Sequence, residues 1–122
     1  MLAIELDMQQ RNTLAYIAAD PSVIVLNRTT LVPDGAGGLV KSVPSPVAAQ
    51  TFRIVNGQIQ QIVTRTLDGQ EVRADYMMIC RWDADVHAGD SFSSSFCNYR
   101  VTYVYPDPTY ELLAEVAFVG RI

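Results

Sequence analysis

Charge is scarce in this sequence: 18% of its 122 residues are Asp, Glu, Lys or Arg, against about 25% in an average soluble domain. Little charge is left to cover the outside of a chain that is 49% apolar, and that balance favours self-association. Basic residues are scarcer still. Nine Lys and Arg against thirteen Asp and Glu give a net charge of -4, without the cationic footprint that a free nucleic-acid binder depends on. Cysteine is limited to Cys80 and Cys97, in neither a CxxC nor any other metal spacing, which argues against a structural zinc site and a disulfide-rich scaffold. Both are read as reduced core residues; a disulfide would require their strands to be neighbours. No apolar run approaches the ~18 residues that a membrane span needs, and Glu5 and Asp7 stand where a signal peptide would be basic. A soluble protein, intracellular where it is made and without a membrane partner, is expected.

What is present is a succession of short β-patterned segments. The most informative is residues 83–106, DADVHAGDSFSSSFCNYRVTYVYP. Its first part, with Asp83, Asp85, Gly89 and Asp90, is polar and turn-prone and reads as a surface loop. Two strands follow, over 90–96 and 98–105, joined by a tight turn near 95–98. Period-two alternation puts Tyr99, Val101, Tyr103 and Tyr105 on one face of the second strand and Arg100, Thr102 and Val104 on the other. Such an aromatic face needs an opposing surface, from the rest of the chain or from another copy.

Around that hairpin the chain reads as one domain, residues 1–122, with a helix over 1–19 and a barrel over 22–122. Alanines, Leu6, Leu14 and Ile17 favour the helix, and Asp20-Pro21 stops it. Its apolar positions form no clean stripe, so it either lies across the mouth of a barrel or docks on a neighbouring subunit. Residues 22–32 are rich in β-branched side chains and predict a strand. The loop over 33–38 follows as a hairpin tip, since three glycines in the four residues 35–38 resist regular structure; no Lys-Ser/Thr closes it as a phosphate-binding loop. Pro44 and Pro46 confine their segment to an edge or connector. Strands are then predicted over 49–55 and 58–66 about an Asn56-Gly57 turn, over 71–82 after a turn at Asp68-Gly69, and over 110–122 as a closing strand buried on both faces. Short strands at this spacing give a mainly β fold, a small antiparallel β-barrel or sandwich with one short N-terminal helix.

Few constellations suggest chemistry. Asp83, Asp85, His87 and Asp90 gather three carboxylates and the only histidine within eight residues. An EF-hand loop counted from Asp83 would need glycine and glutamate where Ala88 and Ser94 stand, so the segment is read as a hydrated turn and not a metal site. Ser91, Ser93, Ser94 and Ser95 lack a nucleophile elbow, and Cys97 with His87 is better read as inert packing. No enzyme activity, catalytic residue or cofactor is expected. Tyr99, Tyr103 and Tyr105 beside Arg100 could form a base-stacking platform, but the acidic net charge favours core packing or a subunit interface.

The order of features nonetheless resembles a known group. IAADP at 17–21, VIVLNR at 23–28, DGAGG at 34–38, QTFRIV at 50–55, TLDGQEVRADYMMI at 66–79, DADVHAGDSF at 83–92, NYRVTYVYP at 98–106 and YELLAEVAFVG at 110–120 succeed one another over nearly the whole chain. The best markers are the x-x-G-D-x-F/Y, Y-x-V-x-x-V and Y-x-x-x-A-x-V pieces at 88–92, 99–104 and 110–116. Together they resemble the small head-tail connector proteins of tailed bacteriophages, the head-closure (stopper) and adaptor group. The resemblance implies a β-barrel protomer in a homo-oligomeric ring, typically twelve-fold, in the virion neck, assembled in the host cytoplasm. It implies a portal or adaptor protein on the head side and a tail terminator or other tail protein on the other. DNA would pass through or be held in the channel without sequence recognition. A single short helix tilts the reading toward the stopper. The candidate interface or lumen residues are Asp34, Gly35, Gly37 and Gly38 in one loop, Asp68 and Gly69 in another, and the carboxylates Glu71, Asp75, Asp83 and Asp85, which would repel phosphate if they lined a channel. The alternative is a free oligonucleotide- or ligand-binding barrel.

Overall fold

The computed structural model describes residues 2–56, 64–67 and 70–121. Helix α1 spans Ala3–Ala19 and stops at Asp20, whose backbone N–H donates to the Ile17 carbonyl at 3.2 Å before Pro21 forbids another turn. Its C-terminal half rests on the outside of the sheet. The Arg53 guanidinium lies 3.9 Å from the centre of the Tyr16 ring and donates to the Tyr16 carbonyl at 2.9 Å. Because Phe52 is wholly buried in the core, its neighbour Arg53 belongs to the opposite face. Leu14, Ile17 and Ala18 of the helix also border Gln50, Thr51, Arg81 and Ala84. Only Thr13 and Ile17 of the helix are buried, one turn apart, while Leu2, Ile4 and Met8 are exposed near its N-terminal end.

The predicted strand over 22–32 is three pieces: β1 (Ser22–Ile24), β2 (Asn27–Arg28) and β3 (Leu31–Pro33). The chain continues with β4 (Leu39–Lys41), β5 (Ser45–Pro46), β6 (Gln50–Asn56), β7 (Thr64–Leu67), β8 (Gln70–Arg73), β9 (Tyr76–Cys80), β10 (Ser91–Ser93), β11 (Cys97–Val104) and β12 (Leu112–Arg121). Eight of these form one antiparallel sheet in the order β1-β6-β9-β12-β11-β10-β2-β5. β1 and β2 sit toward opposite ends of that order, yet only Val25 and Leu26 separate them in sequence. Three Cα steps reach roughly 11 Å at most, so the sheet must curl round until its ends nearly meet. This is why the strand breaks: Leu26, fully buried, crosses the interior. The result is a curled antiparallel half-barrel with one N-terminal helix, the mainly β fold expected.

The inner face carries the core, with Leu26, Phe52, Met78, Val101, Ala114 and Val116 at its centre. Val86, from the loop after β9, packs into the same cluster. β12 is buried or half-buried from Leu112 to Ala117 on both of its faces, but Phe118 and Val119 beyond it are exposed, so the predicted burial of the closing strand holds only for its first part. Pro46 lies on the edge strand β5, where its missing N–H costs no ladder bond. The predicted strand over 71–82 breaks at Ala74-Asp75, where the Asp75 N–H turns to the Val116 carbonyl at 2.9 Å. The Asn56-Gly57 turn and most of the strand after it lie outside the described residues; among those described, β6 pairs with β1 and β9. β7 and β8 pair with Leu67 opposite Gln70, so the predicted turn has its flanks in register, with Asp68 and Gly69 outside the described residues.

The aromatic face predicted for β11 is split. A register shift between Val101 and Tyr103 in the pairing with β12 adds a residue, leaving both Val101 and Thr102 buried. Such a bulge reverses the alternation beyond it. Tyr99, Val101 and Val104 thus pack with the core, whereas Tyr103 and Tyr105 make an edge-to-face pair at 5.1 Å and the Tyr105 hydroxyl donates to buried Glu115 at 2.6 Å. No single stacking platform is formed.

Cys80 and Cys97 are free thiols on strands separated by β12, facing Leu112 and Arg121 at its two ends. They are not neighbours, which excludes a bond between them in this fold. Burial pushes the Cys80 thiol up to about 12.

Candidate functional site

Three features of the surface could meet a partner: a projecting hairpin, a loop fixed to the barrel, and a cleft at the barrel seam. The hairpin, β3–β4, contains the predicted glycine-rich tip. Asp34 accepts the N–H groups of Ala36 and Gly38 at 2.7 and 3.0 Å, and its own N–H donates to the Gly38 carbonyl at 3.0 Å. These backbone donors hold the Asp34 carboxyl below its usual range. Gly37 takes φ +88°, a conformation that suits glycine, and a Cβ on Gly38 would come 2.7 Å from the Asp34 carboxylate. At the base, the Ser42 N–H donates to the Thr30 carbonyl at 2.8 Å and the Thr30 N–H to Ser42 Oγ at 3.1 Å. The arm is ordered by its own bonds, yet of its strand residues only Val32 is even half-buried. Leu31 and Leu39 are each 63% exposed.

The loop between β9 and β10 behaves oppositely. Asp90 is 1% exposed, a costly place for a carboxylate unless it is paired. Arg28 of β2 supplies the pairing through Nε to Oδ1 at 2.9 Å and Nη2 to Oδ2 at 2.8 Å, the two-pronged geometry that guanidinium favours. The His87 N–H adds a third bond at 2.8 Å. Arg28 Nη1 also reaches Asp85 Oδ1 at 2.9 Å. The hydrogen bond to Asp90, foremost, raises the Arg28 guanidinium further above its ordinary value. Gln50 brackets the Asp85 backbone with bonds of 2.9 and 2.8 Å, and Gly89 and Asp90 bond to both backbone groups of Val101 at 2.7 Å.

A cleft of about 280 Å³ opens where the barrel is not sealed, between β1 and the end of β10. Val23, Ile24, Ile54, Phe92, Tyr76 and Tyr99 form its apolar lining, with Ser22, Ser93 and Ser94 at polar positions and, among the described residues, no charged side chain. Phe92 stacks on Tyr99 at 5.2 Å, Tyr76 meets Tyr99 edge-on at 5.6 Å, and burial pushes the Tyr99 phenol up.

The predicted site residues divide among these places. Asp34, Gly35, Gly37 and Gly38 share the arm tip. Asp83 and Asp85 share the fixed loop, where Asp83 pairs with Arg81 at 2.9 Å and Asp85 with Arg28. Asp75 lies at the other end of β9, about 17 Å away by strand length, and its carboxylate accepts the Phe118 N–H at 2.9 Å. These three carboxylates therefore form no single patch. Asp68 and Gly69 lie outside the described residues, as does the side chain of Glu71 in β8. Among the described residues no three His, Cys, Asp or Glu side chains are grouped as metal ligands. Sequence reasoning missed Arg28; the available signal was a lone cation ending the apolar run VIVLNR. No protein-family model matches this chain, and no curated protein does.

Proposed function

We propose that this chain is a structural protein that acts by assembling with copies of itself, as a ring component of the neck of a tailed bacteriophage, of the head-closure kind. The observation that carries the reading is the surface left over once the half-barrel has formed. Leu2 just before the helix, Ile4 and Met8 on it, Leu31, Leu39 and Val40 on the arm, and Val43 beyond it all remain exposed. Apolar surface of that extent on a chain with so little charge is what an assembly interface supplies. In this reading the portal or adaptor and the tail protein occupy the two ends of the ring, and DNA meets backbone and acidic side chains without sequence recognition. The arm tip, or the loop expected from the sequence at Asp68 and Gly69, would reach the channel.

Light scattering of the purified chain across concentration, with and without portal-bearing heads, tests this. A ring in solution, or one formed on the head, is expected. A monomer indifferent to heads but retained by single-stranded DNA would replace the reading with the free oligonucleotide-binding barrel.

A further inference from the structure

We propose that the β3–β4 arm of one copy of this chain seats in the seam cleft of a second copy. The inference rests on the self-assembly part of the reading above and assigns its contact. Two surfaces of this molecule are incomplete in complementary ways. The arm is a two-stranded hairpin carrying Leu31, Leu39 and Val40 in the open, and an isolated hairpin of this kind is marginal in water unless another layer covers it. The cleft is an apolar recess bordered by β1, which among the described residues pairs only with β6.

The two match in chemistry and size. Among the described residues no charged side chain lines the cleft, and the arm's strands are uncharged until Lys41 at the base. At about 280 Å³ the recess falls just below the ~300–1,000 Å³ of small-molecule pockets, a volume for a few aliphatic side chains rather than a free ligand. The unpaired edge of β1 offers backbone groups to an incoming strand, the usual way an extended segment adds to a sheet. The arm is also preorganised by Asp34 and by the Thr30–Ser42 bonds, so docking gives up little conformational freedom. Within one chain the two do not meet, since no arm residue lines the cleft. A second copy provides both halves at once. Because arm and cleft are different patches, the contact is head-to-tail, the kind that closes into a ring when its rotation permits.

The test is a mixed-chain cross-link in a Cys97→Ser background. One chain carries Leu39→Cys, the other Val23→Cys; both positions are well exposed, at 63% and 72%, so neither change disturbs the fold. Oxidation of the mixture is expected to give a disulfide-linked heterodimer in excess over either homodimer, and the double variant a ladder of linked copies. Leu39→Asp should weaken assembly at least tenfold, while Leu14→Asp, at a position 41% exposed on helix α1, should leave it unchanged. Assembly by light scattering without the mixed disulfide overturns the arm-in-cleft contact, whatever Leu39→Asp does, and leaves the ring reading standing. A chain that stays monomeric at every concentration and on heads overturns both.

Discussion

The arm at residues 31–41 and the loop at 83–90 are written in nearly the same alphabet, aspartate, glycine and alanine with valine between, yet they differ in everything that long-range contact supplies. In the arm every bond of Asp34 closes on the arm itself. In the loop, Asp90 bonds to Arg28, 62 residues distant, and Val86 is a core residue. The order of the first is local and separable; that of the second is part of the global fold. Turn chemistry sets where a chain bends, but only a partner far away in sequence decides whether the bend shares the stability of the whole.

The sharpest way to break this contrast is to remove Arg28. Arg28→Ala leaves the Asp90 carboxylate buried without its main partner, so a loss of about 3–5 kcal/mol is expected in urea unfolding; a loss under 1 kcal/mol would mean the loop is not integral. A matched leucine pair comes next, measured at a concentration where the chain is monomeric. Leu26→Ala should cost about 2–5 kcal/mol, and Leu39→Ala on the arm less than about 0.5 kcal/mol. A finer comparison uses two glycines of similar backbone, at φ +95° for Gly89 and +88° for Gly37. Gly89→Ala should lower global stability by about 1–2 kcal/mol, while Gly37→Ala should leave the unfolding midpoint in place and speed amide exchange in the arm alone. The smallest effect is in acid. Asp34 has a depressed pKa, so its contribution to arm order is fully present above the ordinary carboxylate value of about 3.9. That contribution is lost as pH falls through the lowered folded value. Protection of the Ala36 and Gly38 N–H groups, measured as exchange relative to the intrinsic rate at each pH, should therefore fall on acidification, and should not change with pH in Asp34→Asn.

Much of the architecture was legible. Asp20-Pro21 marked the end of the helix, Pro46 its edge strand, and the β10–β11 hairpin its residues, because each depends on local backbone chemistry. The breaks at Val25-Leu26 and Ala74-Asp75 were not, since alternation persists through a strand that must leave its sheet. The bulge after Val101 was equally invisible: its cause is the register with β12 rather than any residue of β11. Of the candidate site, the arm tip was foreseen as a hairpin end. The pairing of Arg28 with Asp90 was not, because nothing in either segment names the other.

The short link through Val25 and Leu26 has a mechanical consequence. Seven strands hydrogen-bonded in sequence from β1 round to β2, with the chain itself joining β1 to β2, make a hoop closed by covalent bonds. Pulled outward, such a hoop cannot unroll from that side by giving up hydrogen bonds one after another, as an open sheet does at its edge. It must first draw Leu26 out of the core. The body would then yield late and abruptly under load, and the arm, which has no such tie, would yield first.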